Sequence, residues 1–216
     1  MAKGLFITFE GPDGTGKSTQ IERLAASLRG MGREVVVTRE PGGTEIGEAV
    51  RRILLDSRTQ GLAARAELAL MFASRAQQIA QVIKPNVEAG RVVICDRFTD
   101  SSEAYQGHGR GLGSEAVLEM HRVVCEGLQP DATVLLMFAD ESRSLERASV
   151  RNASAAEDEG RFESEGAAFQ RRVAEGYRAI AAREPERVKV VDASGSVEEV
   201  GERVWGAVQQ IAGEAG

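Results

Sequence analysis

The stretch Gly11-Pro12-Asp13-Gly14-Thr15-Gly16-Lys17-Ser18 constrains the fold of this chain more than any other. It matches G-x-x-x-x-G-K-[ST], a loop that wraps the phosphates of a nucleoside triphosphate. Gly11, Gly14 and Gly16 let the backbone curl until successive N–H groups point inward at an anion. Asp13 and Thr15 sit within that curl. Lys17 has the reach for the β- and γ-phosphates, and the Ser18 hydroxyl is a ligand for Mg²⁺. The loop works only between a strand and a helix, whose positive N-terminal end, here Lys17 to Thr19, faces the same phosphates. The flanks agree. Leu5–Phe9 is an apolar, β-rich run, and Ile21, Leu24, Ala25 and Leu28 fall on one helical face. The chain is therefore expected to bind a nucleoside triphosphate.

Four more short apolar runs follow: 34–38, 92–95, 133–138 and 188–191. Runs without polar alternation suit parallel strands covered on both faces. Helical patterns separate them at roughly 17–30, 44–56, 63–89, 114–126, 141–151, 165–183 and 196–212. This alternation predicts an α/β fold: a five-stranded parallel sheet with helices on both faces, ligands gathering at the carboxyl ends of the strands. The 216 residues fit one domain, 1–216. Residues 152–166 break the pattern, being small, acidic and aperiodic at first, and read as a mobile surface loop. A net charge of −6 argues against broad nucleic-acid binding. No apolar run approaches the ~20 residues that span a bilayer. Cys95 and Cys125 read as buried small hydrophobes, and a reducing cytoplasm is the expected compartment.

Three more segments carry chemistry. Val92–Cys95 runs into Asp96-Arg97, an acid placed to hold Mg²⁺ directly or through water beside a cation aimed at the cleft. The bland alternatives are a capping aspartate and a weak surface ion pair. Arg39-Glu40-Pro41-Gly42-Gly43-Thr44 puts a second arginine at a strand end before a tight turn. Phe72 and Arg75, three apart, share a helical face. They could stack a base and bind its exocyclic oxygen, although spacing alone favours Phe72 as core. The stretch Asp100 to Gly111 reads as a polar binding wall or an ordinary loop. His108 and His121 have no partner spacing and are assigned no role.

Taken in order, Phe9-Glu10-Gly11 through Thr19, Thr38 through Thr44, Met71 through Arg75, Asp96-Arg97-Phe98 and Ser101 through Gly107 resemble the bacterial thymidylate kinases, P-loop enzymes that phosphorylate dTMP to dTDP with ATP. The resemblance covers nearly the whole chain. It implies that Asp13 accepts from the dTMP 3′-hydroxyl and that Arg39 and Arg97 hold its phosphate. It implies that Phe72 stacks on thymine, reversing the spacing argument, with Arg75 at its O4 edge. Ser101 and Ser102 would lie near the base, Gln106 near sugar and phosphate, and Tyr105 against the 2′ position. Lys17 and Ser18 would serve ATP and Mg²⁺, with Asp96 behind the metal. The phosphate loop has no arginine here, so a lid over approximately 141–166 would supply one. Arg151 is the expected catalytic group; Arg147 competes for that role and for a place under adenine. The family's short basic lid turn is replaced by the longer, acidic 152–160, which unsettles the alignment of Glu163 with the nucleoside. A homodimer built on the long helices is also implied. Two other readings stay open at this stage. One is a kinase for another nucleotide, although adenylate-type kinases carry a different loop. The other is a nucleotide-gated switch that needs a protein partner.

Overall fold

A single sheet of five parallel strands orders the molecule. In the computed structural model, which describes residues 3–56, 58–59, 61–138, 161–162 and 165–214, the strands are β1 (Leu5–Glu10), β2 (Val35–Arg39), β3 (Val92–Asp96), β4 (Ala132–Met137) and β5 (Val188–Asp192). Their spatial order is β2-β3-β1-β4-β5. The helices are α1 (Lys17–Gly30), α2 (Glu45–Leu55), α3 (Ala64–Gln78), α4 (Lys84–Glu88), α5 (Thr99–Ser102), α6 (Ser114–Val124), α7 (Ala167–Arg183) and α8 (Val197–Glu214). A π-helical turn, Ile79–Ile83, joins α3 to α4, and another, Glu103–Gly109, continues α5.

The central strands are buried along their whole length. All six residues of β1 and all six of β4 are covered, as the unbroken apolar runs require of a sheet flanked on both sides. Successive side chains then go to opposite layers. Leu5, Ile7 and Phe9 pack with Ile21, Leu24 and Leu28 of α1 and with Val200, Val204 and Val208 of α8. Phe6, Val93 and Cys95 pack with Phe72, Ile83, Phe98 and Val117 on the other side. Leu135 and Met137 meet Phe169, Val173 and Tyr177 of α7. Thr8 and Thr133, both buried, bond to each other across β1 and β4 at 2.7 Å.

The register places the chemistry. Phe9 pairs with Asp96, and Asp96 with Arg39, so β1, β3 and β2 end level at one edge of the sheet. β1 lies at the point where connections leave to either side, which is where such sheets hold ligands.

One stretch differs from its sequence reading. The stretch Asp100 to Gly111 reads as a polar wall or loop, but Thr99–Ser102 and Glu103–Gly109 form continuous helix. They escape helical periodicity because the segment is buried through polar groups. Asp100 meets Arg187, Glu103 meets Arg183, Ser101 meets Glu10 and Gln106 meets Glu67. Glycine allows the close approach: a Cβ at Gly109 would stand 2.7 Å from the Phe169 ring, and one at Gly176 would stand 3.0 Å from the Ala104 Cα. The expected helix 141–151 lies outside the described residues, as does nearly all of the expected lid.

Candidate active site

The glycine loop leaves β1 and enters α1 with Gly11, Gly14 and Gly16 all at positive φ (128°, 80° and 88°). Gly11 has a second constraint: a Cβ there would stand 2.1 Å from the Leu136 carbonyl oxygen. Thr15 donates to the Pro12 carbonyl at 2.9 Å and closes the turn. Lys17 folds along the loop, its Nζ donating to the carbonyls of Gly11 (3.1 Å) and Pro12 (3.0 Å). Burial, and next the nearby Arg97, lower its pKa to about 8. The ammonium is held where an anion would restore its charge preference. Ser18 and Thr19 open the helix and are exposed.

Arg97 follows β3 with φ 71°, a left-handed conformation uncommon for a side-chain-bearing residue. Its N–H donates to the Phe9 carbonyl at 2.9 Å. The guanidinium then runs into the cleft. Nη2 donates to Asp13 Oδ1 at 2.7 Å, and the Lys17 ammonium stands 3.9 Å from the same oxygen. Nη1 donates to Ser101 Oγ and to the Tyr177 hydroxyl, both at 3.0 Å. Tyr105 lies beneath, its ring centroid 5.1 Å from the guanidinium carbon, and donates to Asp13 Oδ2 at 3.2 Å. Behind them Glu10 is fully buried, and burial, with Asp100 as the next cause, raises its pKa to about 7. Asp96 Oδ1 is buried with no hydrogen-bond partner among the described residues.

A second arginine is buried beside Phe98. Arg75 is 2% exposed and lies 4.6 Å over the Phe72 ring. Its Nε donates to Glu40 Oε2 at 2.5 Å, and its Nη2 donates to the Phe98 carbonyl (3.1 Å) and Ser102 Oγ (3.0 Å). Burial raises the Glu40 pKa to about 7 against the opposing pull of Arg75. Arg75 Nη1 and Glu40 Oε1 have no hydrogen-bond partner among the described residues.

The phosphate loop thus meets Arg97 at Asp13, and a second arginine, Arg75, is buried beside Phe98. The sequence pattern of the family described as Thymidylate kinase matches residues 9–204. The chain belongs to the thymidylate kinase family. It is 52% identical over 209 residues to the thymidylate kinase of Solidesulfovibrio magneticus, covering 96% of this chain and all of that one. Against the Pseudomonas putida thymidylate kinase it is 48% identical over 197 residues, 91% of each chain. The crystal structure of thymidylate kinase from Ehrlichia chaffeensis superposes with a TM-score of 0.77 at 32% identity, covering 96% of this chain and 100% of that one.

The remaining residues implied by the family resemblance fall into three settings. Asp13, Lys17, Asp96, Arg97, Ser101 and Tyr105 gather around the glycine loop. Phe72, Arg75 and Ser102 form a buried cluster, and Phe72 lies wholly covered in the core with Phe6 and Ile83, as its spacing alone favours. Arg39 stands apart: its side chain is 55% exposed and pairs with Glu48 of α2 at 3.1 Å. Gln106 Nε2 donates at 2.9 Å to Glu67, a buried carboxylate that also receives Arg110 and Arg161. Arg147, Arg151, Glu163 and 152–160 lie outside the described residues.

Sequence reasoning gave no role to Glu10, Glu67 or Tyr177. Glu10 was visible only as a neighbour of the loop. Tyr177 meets it across 167 positions, a pairing that no local pattern encodes.

Proposed function

We propose that this protein catalyses ATP-dependent phosphorylation of dTMP to dTDP, a step toward dTTP. Family membership supports this reading, and one geometric observation carries it. Lys17 of the phosphate loop and Arg97 at the end of β3 converge on a single oxygen of Asp13. The cation that serves the donor's phosphates and the cation assigned to the acceptor's phosphate thus share one carboxylate. That is the arrangement needed to bring two mutually repelling phosphate groups end to end.

Transfer of the γ-phosphoryl group is in line. The acceptor is already an anion, so the site needs no strong general base, and positioning and charge neutralisation carry the catalysis. Lys17 meets the β- and γ-phosphates. Arg97 holds the 5′-phosphate of dTMP, and Arg39, paired with Glu48 at the edge of the sheet, is the second arginine assigned to it. Arg75, whose buried Nη1 has no partner among the described residues, is assigned to the O4 of thymine, with Phe72, Ser101 and Ser102 assigned to the base. Tyr105 crowds the 2′ position, Asp13 accepts from the 3′-hydroxyl and Gln106 lies toward sugar and phosphate. The unpartnered, buried Asp96 Oδ1 and the exposed Ser18 hydroxyl form a hard-oxygen pair that fits Mg²⁺. Held by Asp96 and Ser18, the ion would supply positive charge against the phosphates.

We assign 1–216 to one domain and approximately 141–166, nearly all of it outside the described residues, to a lid. Arg151 is the lid residue assigned to transition-state charge, and Arg147 is assigned to ATP. Ile46 and Ile53, seven residues apart on α2 and both about half exposed, support a homodimer through the helices. Two free, buried cysteines fit a cytoplasmic protein.

Initial rates with MgATP and dTMP, dUMP, UMP or AMP test the proposal. The expected result is a marked preference for dTMP. Equal or better turnover of AMP would overturn it. A thermal-shift series with the same four monophosphates gives an independent reading, since ligand at 100 times its Kd adds about 2.7 kcal/mol of apparent stability.

A further inference from the structure

The Arg97 guanidinium offers only donors. Two of its four polar partners, the hydroxyls of Ser101 and Tyr177, each carry one hydrogen of their own. To accept from Nη1, those hydroxyls must direct their hydrogens elsewhere. Glu10 Oε2 takes both, from Ser101 at 2.5 Å and from Tyr177 at 3.2 Å. Glu10 is itself fixed, because its Oε1 accepts from the Phe98 N–H at 2.7 Å. The two hydroxyls stand 2.9 Å apart and lie between a carboxylate and a guanidinium. A wholly buried acid thus sets which way two hydroxyls face, and through them where the arginine points.

We propose that Glu10 and Tyr177 are positioning residues that aim Arg97 at the acceptor phosphate by presenting the lone pairs of Ser101 and Tyr177 to it. The inference rests on the reading of Arg97 as the acceptor's phosphate clamp. Tyr177 comes from α7, which packs tightly on the 103–109 turn through Gly176. The clamp is therefore assembled from β1, the end of β3, α5 and a helix near the C-terminus. Glu10 and Tyr177 need not touch either substrate.

Calorimetric titration of dTMP and, separately, of MgATP into the full-length protein tests this. Tyr177→Phe removes one oxygen and keeps the ring. It should weaken dTMP binding roughly fivefold to tenfold while leaving MgATP within about twofold. Glu10→Gln should act in the same direction, because an amide nitrogen donates to the hydroxyls and turns their hydrogens toward Arg97. Arg97→Ala should weaken dTMP far more. Adding Tyr177→Phe to Arg97→Ala should then change dTMP binding by less than about twofold. If Arg97→Ala weakens dTMP but Tyr177→Phe has the same effect with or without Arg97, the positioning role is wrong and the clamp stands. Equal weakening of dTMP and MgATP by Tyr177→Phe would also overturn it, as a general structural effect. If Arg97→Ala leaves dTMP binding unchanged, the clamp reading itself falls.

Discussion

Arg97 and Arg75 are both drawn into the interior beside the same cleft, yet they are held in opposite ways. Arg97 distributes its Nη1 and Nη2 donors over Asp13, Ser101, Tyr105 and Tyr177. Arg75 is gripped by Glu40, Phe98 and Ser102 through Nε and Nη2, while its Nη1 and the facing residue's Glu40 Oε1 lack a partner among the described residues. A buried donor without an acceptor costs about 1–3 kcal/mol, which a ligand carbonyl can recover. The contrast separates two tasks. Arg97 is held in place from both Nη atoms, whereas Arg75 keeps one buried donor without a partner among the described residues.

The sharpest way to break this comparison is to remove Arg97. Arg97→Ala should lower kcat/KM for dTMP by about 10²- to 10³-fold, because truncating one partner of a buried charge network commonly costs 3–5 kcal/mol. Steady-state rates at varied dTMP check this, and a loss below tenfold would place the phosphate elsewhere. Arg75→Met should come next. It should erase most discrimination between dTMP and a pyrimidine monophosphate with an amino group at the same ring position, a shift of about 10- to 100-fold. It should also destabilise the fold, since Glu40 is left buried without its cation. Competition assays report the first effect and urea unfolding the second.

A third measurement uses pH. Glu10 and Glu40 have folded pKa values of about 7 against an ordinary 4.5. Between those values the folded state binds more protons than the unfolded state, so stability should fall as pH rises from 4.5 to 7 and the fall should level off above 7. Glu10→Gln should flatten part of this slope. An unchanged slope in urea titrations at pH 5, 6 and 7 would show that Glu10 does not titrate there. The smallest effect is expected at the sheet edge. Breaking the exposed Arg39–Glu48 pair with Glu48→Gln should change stability by less than about 1 kcal/mol.

Much of this was legible from residue types and spacing. Parallel strands buried on both sides must be apolar throughout, so each run from Leu5 to Val191 was visible, with ends within about one residue. The glycine loop was visible because its backbone geometry demands particular residues at fixed offsets. The 99–109 helix was not, because Asp100, Ser101, Glu103 and Gln106 are buried by bonding to distant partners and leave no apolar stripe. Tyr177 and Glu67 were hidden for the same reason. Each looks like an ordinary helical residue until the fold brings Glu10 to one and Arg161 to the other.

The level ending of β1, β3 and β2 has a consequence for how this cleft can vary. Each strand residue advances about 3.3 Å and turns its neighbour to the opposite layer. Deleting one residue within Val92–Asp96 would therefore both retract the Asp96 carboxylate and rotate it into a hydrophobic layer. Length changes should be fatal inside the three strands and harmless in the connection around Gly61, where an added Cβ meets nothing. The spacing of the reacting groups is kept by counting peptide units.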